Sequence, residues 1–74
     1  MADEIHAEMV ANVWKVVAKA GDEVEEGDTL VILESMKMEM PIEAPEAGTV
    51  TEVLASPGQA VEEGEVLLRL NPSS

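Results

Sequence analysis

A lysine set between two methionines, Glu34-Ser35-Met36-Lys37-Met38, is the group in this chain best suited to covalent chemistry. A lysine amine is a good nucleophile once deprotonated, but its ordinary pKa of ~10.4 keeps it protonated near neutrality. No histidine, cysteine or basic cluster adjoins Lys37 in sequence to draw that proton off. Acylation there needs a separate enzyme that brings both an activated acyl donor and a base. Met36 and Met38 are unbranched and polarizable, and can fit a partner's groove. A Met-Lys-Met triplet by itself reads as an exposed lysine beside core methionines; the position of this one in the chain argues for more.

Other constellations are weaker. Glu4, His6 and Glu8 alternate as one strand face would and could touch a metal, but a lone histidine at a solvated edge is the ordinary reading. Asp22 to Leu33 has the glycine of a calcium loop at its sixth position, yet Val24 and Leu33 stand where ligands three and twelve belong. No nucleophile–base pair or phosphate-binding loop is present, so a non-catalytic module is expected. The absence of cysteine rules out disulfides and thiolate metal sites and fits a reducing compartment such as the cytoplasm. The start, Met-Ala-Asp-Glu-Ile-His, lacks the basic and apolar regions of a signal peptide. No apolar run approaches the ~18 residues of a membrane span. The chain is expected to form one domain, residues 1–74; its initiator methionine and short tail Asn71-Pro72-Ser73-Ser74 favour a complete protein over an excised domain, with both readings open.

Four cationic side chains, Lys15, Lys19, Lys37 and Arg69, face sixteen acidic ones, for a formal charge of −12. Nucleic acid and anionic membrane surfaces would repel such a body. The charge is expected to solvate a monomer; an acidic face that steers docking to basic partner surfaces is the sharper alternative.

The position of Lys37 follows from an internal repeat. It has 36 residues before it and 37 after it. Shifting the chain by 37 residues pairs Val13 with Val50, Val16 with Val53, Ala18 with Ala55 and Gly21 with Gly58. The same shift pairs Val24 with Val61, Gly27 with Gly64, Leu30 with Leu67 and Leu33 with Leu70. Two copies are too few for a solenoid. They suit two halves, about 10–34 and 47–71, packed about a pseudo-two-fold axis.

Each half reads as β-structure. Clusters of Val, Ile, Thr and Leu are broken by Gly21-Asp22, Gly27-Asp28, Gly58-Gln59 and Gly64-Glu65, where glycine supplies the positive φ of tight turns. Strands are expected over about residues 3–8, 11–18, 29–35, 38–43, 48–55 and 65–71, with short bridges near Val24 and Val61. Pro41 and Pro45 belong at strand edges or ends. A helix over Glu34 to Met40 is rejected because Pro41 would close it at once. The fold class is therefore all-β: a flattened barrel of two antiparallel sheets. Its expected core is Val13, Val16, Ala18, Val24, Leu30, Ile32, Ile42, Val50, Val53, Val61, Leu67 and Leu70, with Gly27 and Gly64 where backbones approach. Trp14, whose repeat mate is Thr51, is expected to be partly exposed.

In this arrangement the link between the halves, residues 35–38, forms a hairpin tip at one end of the barrel, with both termini at the other. Two-residue hairpin turns that follow sheet twist need positive φ and normally use Asn or Gly. The centre here is Met36-Lys37, so at least one of them should be held at positive φ, at a cost on the order of 1–2 kcal/mol.

The whole chain, over roughly residues 5–71, resembles the biotinyl/lipoyl-attachment domain family. The resemblance is carried by the segment Gly21 to Leu30, by Glu34-Ser35-Met36-Lys37-Met38-Glu39, by Pro41-Ile42 and Ala44-Pro45, and by Ala47-Gly48-Thr49-Val50. In that family Met-Lys-Met goes with biotin and Asp-Lys-Ala with lipoate. Ser35 stands where alanine is commonest, a conservative change that is similar to small stand-alone biotin/lipoyl attachment proteins. Neither half has an insertion that could form a protruding thumb.

The resemblance implies biotin in amide linkage on Lys37, with Glu34, Ser35, Met36 and Met38 read by a biotin protein ligase and by partner subunits. It further implies a carboxyl group carried from a biotin carboxylase to a carboxyltransferase. A lipoyl carrier for a dehydrogenase complex and an unmodified interaction module on the same barrel are the alternatives.

Overall fold

A computed structural model describes residues 3–73. Eight strands follow in order: β1 (Asp3–His6), β2 (Ala11–Val16), β3 (Glu23–Val24), β4 (Thr29–Ser35), β5 (Met38–Glu43), β6 (Gly48–Val53), β7 (Ala60–Val61) and β8 (Val66–Pro72). They form two four-stranded antiparallel sheets, ordered β1-β8-β6-β3 and β5-β4-β2-β7. Among the described residues there is no helix.

Shifting the numbering by 37 carries β2 onto β6, β3 onto β7 and β4 onto β8, end for end, and carries β1 along β5. One sheet order thereby becomes the other. The halves interlock, because β3 of the first half pairs with β6 of the second while β7 pairs with β2. The connecting hydrogen bonds are duplicated as well. The Gly21 N–H donates to the Val50 carbonyl and the Gly58 N–H to the Val13 carbonyl, both at 2.7 Å. Gly27 donates to Ala44 at 2.9 Å and Gly64 to Ala7 at 2.8 Å.

The turns explain the glycine–acid pairs. Gly21, Gly27, Gly58 and Gly64 have φ between 85° and 96°. The residue after each glycine folds its side chain back to close the turn. Asp22 and Asp28 accept from the Lys19 and Glu25 N–H groups at 2.9 Å, and Gln59 and Glu65 from Ser56 and Glu62 at 2.9 and 3.1 Å. The three acids are turn caps as well as solvated charge, a local role that Asp side chains commonly take, and Gln59 caps its turn through its amide oxygen.

The core differs from the sequence expectation at particular positions. Val13, Leu30, Val50, Val61, Leu67 and Leu70 are buried as expected, and Val16, Val24, Ile42 and Val53 pack against them while partly exposed. Ile32 is a correction: it is only half-buried, and Val31 and Leu33 are buried instead. The cause is a bulge. Thr29 pairs with Glu43 and Val31 with Ile42, so Leu30 is an extra residue and both Leu30 and Val31 turn inward. The same slip at Leu67, between β8 and β1, buries Leu67 and Leu68 together.

At Gly27 and Gly64 the backbones do approach, through the bonds to Ala44 and Ala7, but a Cβ at either would meet open space, so the positive φ and not crowding is what calls for glycine. The close approach is at Gly48, where a Cβ would run into the Asn71 carbonyl and the backbone at Pro72. Three strands also end earlier than expected, at His6, Val16 and Val53. Beyond β2 the Val17 and Ala18 N–H groups share the Leu30 carbonyl, at 2.9 and 3.0 Å, so the ladder cannot continue. The same sharing by Leu54 and Ala55 at Leu67 stops β6.

Candidate functional site

β4 and β5 form a ladder that runs to its limit: Leu33 with Met40, Glu34 with Glu39, and Ser35 with Met38 as the closing pair. Only Met36 and Lys37 remain, with φ of 52° and 66°. Positive φ at both central residues is the hairpin geometry whose twist matches the flanking strands. They are the two positive-φ non-glycine residues of the described chain. Neither has the short polar side chain or bare Cα that makes this conformation cheap, so the ladder on both sides holds them there. Met36 is 92% exposed and Met38 68%, while Glu34 and Ser35 are half-buried at the base of the tip.

The structure therefore brings the five sequence-selected residues together on one hairpin, with Lys37 exposed at its turn. Among the described residues the ion pairs are those of Arg69 and His6, and none involves Lys37. Among the described residues no side-chain hydrogen bond engages the amine either. A groove of 510 Å³ lies elsewhere, lined by residues that include Glu23, Val24, Gly48 and Ser73 and by none of the tip. The geometry presents an amine; it does not enclose a substrate.

The remaining sequence candidates separate. His6 Nε2 stands 3.6 Å from Glu4, but the Glu4 carboxylate is also taken by Arg69 at 3.2 Å. Arg69 bonds Glu52 on its other side at 2.6 Å, and the hydrogen bonds to Glu4 and Glu52 hold the guanidinium still more firmly protonated. Among the described residues no group of three His, Cys, Asp or Glu side chains could hold a metal. The Glu46 carboxyl is raised from its ordinary value by a hydrogen bond to the Asp3 side chain, then by desolvation, with the charges of Asp3 and Glu26 adding to it. Trp14 is 49% exposed, in line with the sequence expectation. Sequence reasoning took Glu39 only as part of the family segment and missed that it faces Glu34 directly across the ladder. Counting back from the turn would have found it, since residues equidistant from a two-residue turn pair with each other.

Comparison with known proteins agrees with this geometry. Residues 3–70 match the Biotin_lipoyl family, whose description is "Biotin-requiring enzyme". A biotinylated protein TB7.3 homolog of Mycobacterium leprae is 53% identical over 51 residues, covering 69% of this chain and 72% of that one. The biotin/lipoyl attachment protein of Bacillus subtilis is 52% identical over 46 residues, covering 62% of this chain and 63% of that one. Among solved structures, a single-chain, multi-domain long-chain acyl-CoA carboxylase superposes with a TM-score of 0.93 at 36% identity. That match takes in 97% of this chain but 7% of the carboxylase. The Kluyveromyces lactis urea carboxylase gives 0.89 at 37%, over 96% of this chain and 6% of its own. The chain belongs to the biotin/lipoyl-attachment family, as a domain of the biotin-carrier type.

Proposed function

We propose that this chain is a non-catalytic biotin carrier, with biotin in amide linkage on Lys37 moving a carboxyl group between a biotin carboxylase and a carboxyltransferase. The observation that carries the reading is the exposed Lys37 at a left-handed two-residue turn between two exposed methionines, in a chain of a biotin-requiring family. When bound, biotin would supply a ureido nitrogen able to hold a carboxyl group. Everything else asked of the chain is mechanical. The β4–β5 ladder fixes the height of the Lys37 Cα, and the lysine stem and the acyl chain beyond it form a tether. A tether on an exposed tip raises the local concentration of its cargo at two separated sites.

Attachment needs an external enzyme. A biotin protein ligase activates the biotin carboxyl as an acyl-adenylate using ATP. The Lys37 Nζ attacks the acyl carbon, a C–N bond forms, AMP leaves, and a base of the ligase takes the amine proton. Glu34, Ser35, Met36 and Met38 are the residues such a ligase would read around the amine. The reading places the carrier in the cytoplasm, as a monomeric domain spanning residues 1–74, away from nucleic acid and membranes. Intact mass after expression with a biotin protein ligase tests it. One biotin increment supports the reading; a lipoyl increment or an unmodified chain points to the alternative carriers or to an interaction module.

A further inference from the structure

The duplicated backbone carries two different outer surfaces. On the β1-β8-β6 side, Arg69 sits between Glu4 and Glu52 and pairs with both. A shift of 37 residues carries these three positions to Ile32, Pro41 and Lys15 on the β5-β4-β2 side. There Ile32 stands beside Pro41 on β5 and Lys15 on β2. Val13 pairs with Leu33 and Lys15 with Ile32, so Trp14 is the extra residue of a bulge and lies exposed next to Lys15. One face is closed by an ionic relay; the other shows Trp14 and Pro41 to solvent, with half-buried Ile32 in the same strip. Between this strip and the tip, Glu34 faces Glu39, and among the described residues no ion pair engages either. Like charges directly opposite in a ladder destabilise it, so the pair is set up to gain from an incoming cation.

We infer that the Trp14–Ile32–Pro41 face, together with the Glu34–Glu39 pair, is the docking surface for the ligase that acylates Lys37. The matching surface of that ligase would be apolar at its centre and basic at the edge nearest the tip. This rests on Lys37 being an acyl acceptor. Three features select the occupant. The strip lies on the hairpin that ends in Lys37, with Ile32 three residues below the start of the turn, or about 10 Å along the strand. Before any cofactor is attached the reactive group is the lysine itself, so the enzyme must press its body against the domain beside the tip; a carboxylase reached through the finished tether has no such need. A second copy of this chain would bring its own Glu34, Glu39 and Glu43 against the same charges, in a molecule of net charge −12.

The test uses the full chain with a biotin protein ligase, biotin and ATP. Trp14→Thr, the residue its repeat mate carries, and Ile32→Thr should each raise KM about tenfold with kcat little changed, as expected for a docking hot spot remote from the reacting atoms. Thr51→Ala on the opposite face should leave both constants unchanged. Trp14 is the sole tryptophan, so a 15N-labelled wild-type chain gives one indole N–H signal. That signal should shift on addition of unlabelled ligase without ATP, which tests the face even if a variant folds poorly. An unchanged KM in well-folded variants, a loss confined to kcat, or an unmoved indole signal would overturn the assignment. So would normal biotinylation with defective carboxyl transfer, which would hand the face to a carboxylase. A wild-type chain that accepts no biotin at all would overturn the carrier reading itself.

Discussion

The two halves share a backbone and differ in the chemistry of their outer faces. Positions that repeat are those that make the fold: Leu30 and Leu67 at the bulges, Val13 and Val50 in the core, Gly21 and Gly58 in the turns. Among the positions that do not repeat, four lie on the outer faces of the two sheets: Trp14 against Thr51, Lys15 against Glu52, Ile32 against Arg69, Pro41 against Glu4. Lys37 itself corresponds to Ser74, which lies outside the described residues, as do residues 1 and 2. A duplicated scaffold thus supplies its own control. The core and turn positions that both halves keep are structural, and an outward residue that one half alone carries is a candidate for function where nothing in the fold uses it, unlike Gly48 or Arg69.

Lys37→Arg should break the comparison most completely. Arginine keeps the charge and the length but offers no nucleophilic amine. Streptavidin capture of a ligase-treated variant should fall to background; retained capture would mean that Lys15 or Lys19 is modified. Leu30→Ala and Leu67→Ala should then test the symmetric part. Both residues are fully buried, and each truncation should cost about 2–5 kcal/mol in urea unfolding. The two should agree within about 1 kcal/mol, given how much such costs vary with the collapse of the site. A large disparity would show that the halves do not share their core equally.

Met36→Gly sharpens the contrast at the tip. It removes a strained positive φ worth about 1–2 kcal/mol and gives back about 0.4–1 kcal/mol through the freer unfolded chain. Stability should stay level or rise slightly while modification by the ligase slows. Unchanged modification kinetics would remove any role for a stiff, methionine-lined tip. The smallest effect is expected at Glu46. Its carboxyl binds a proton more tightly folded than unfolded, so its contribution to stability is present at low pH and fades as pH rises through and above 4.5. Glu46→Gln should therefore flatten that part of the stability–pH curve, read as melting temperature against pH.

Much of this was legible in the sequence because the repeat carries its own check. Gly21 and Gly58, or Leu30 and Leu67, fall in register only if both halves fold alike, and the junction then has to be a turn at Met36-Lys37. Ile32 was misplaced because strict alternation was carried through β4, whereas the bulge at Leu30 resets the inward face by one residue. Gly48 was missed because a glycine that makes room for a neighbouring strand looks, in sequence, like one that makes a turn. The Arg69 relay joins residues 17 and 65 positions away, beyond any local pattern. At the site, the lysine and its methionines were visible from their types and position, but the facing of Glu34 and Glu39 required the register.

The central claim is that position within the duplicated fold, rather than lysine chemistry alone, selects Lys37. Peptide mapping of the wild-type chain after treatment with a biotin protein ligase, biotin and ATP tests it most directly. The account predicts one biotin per chain, on the peptide containing Lys37, with Lys15 and Lys19 bare. Biotin on Lys15 or Lys19, or a chain left wholly unmodified, would contradict it.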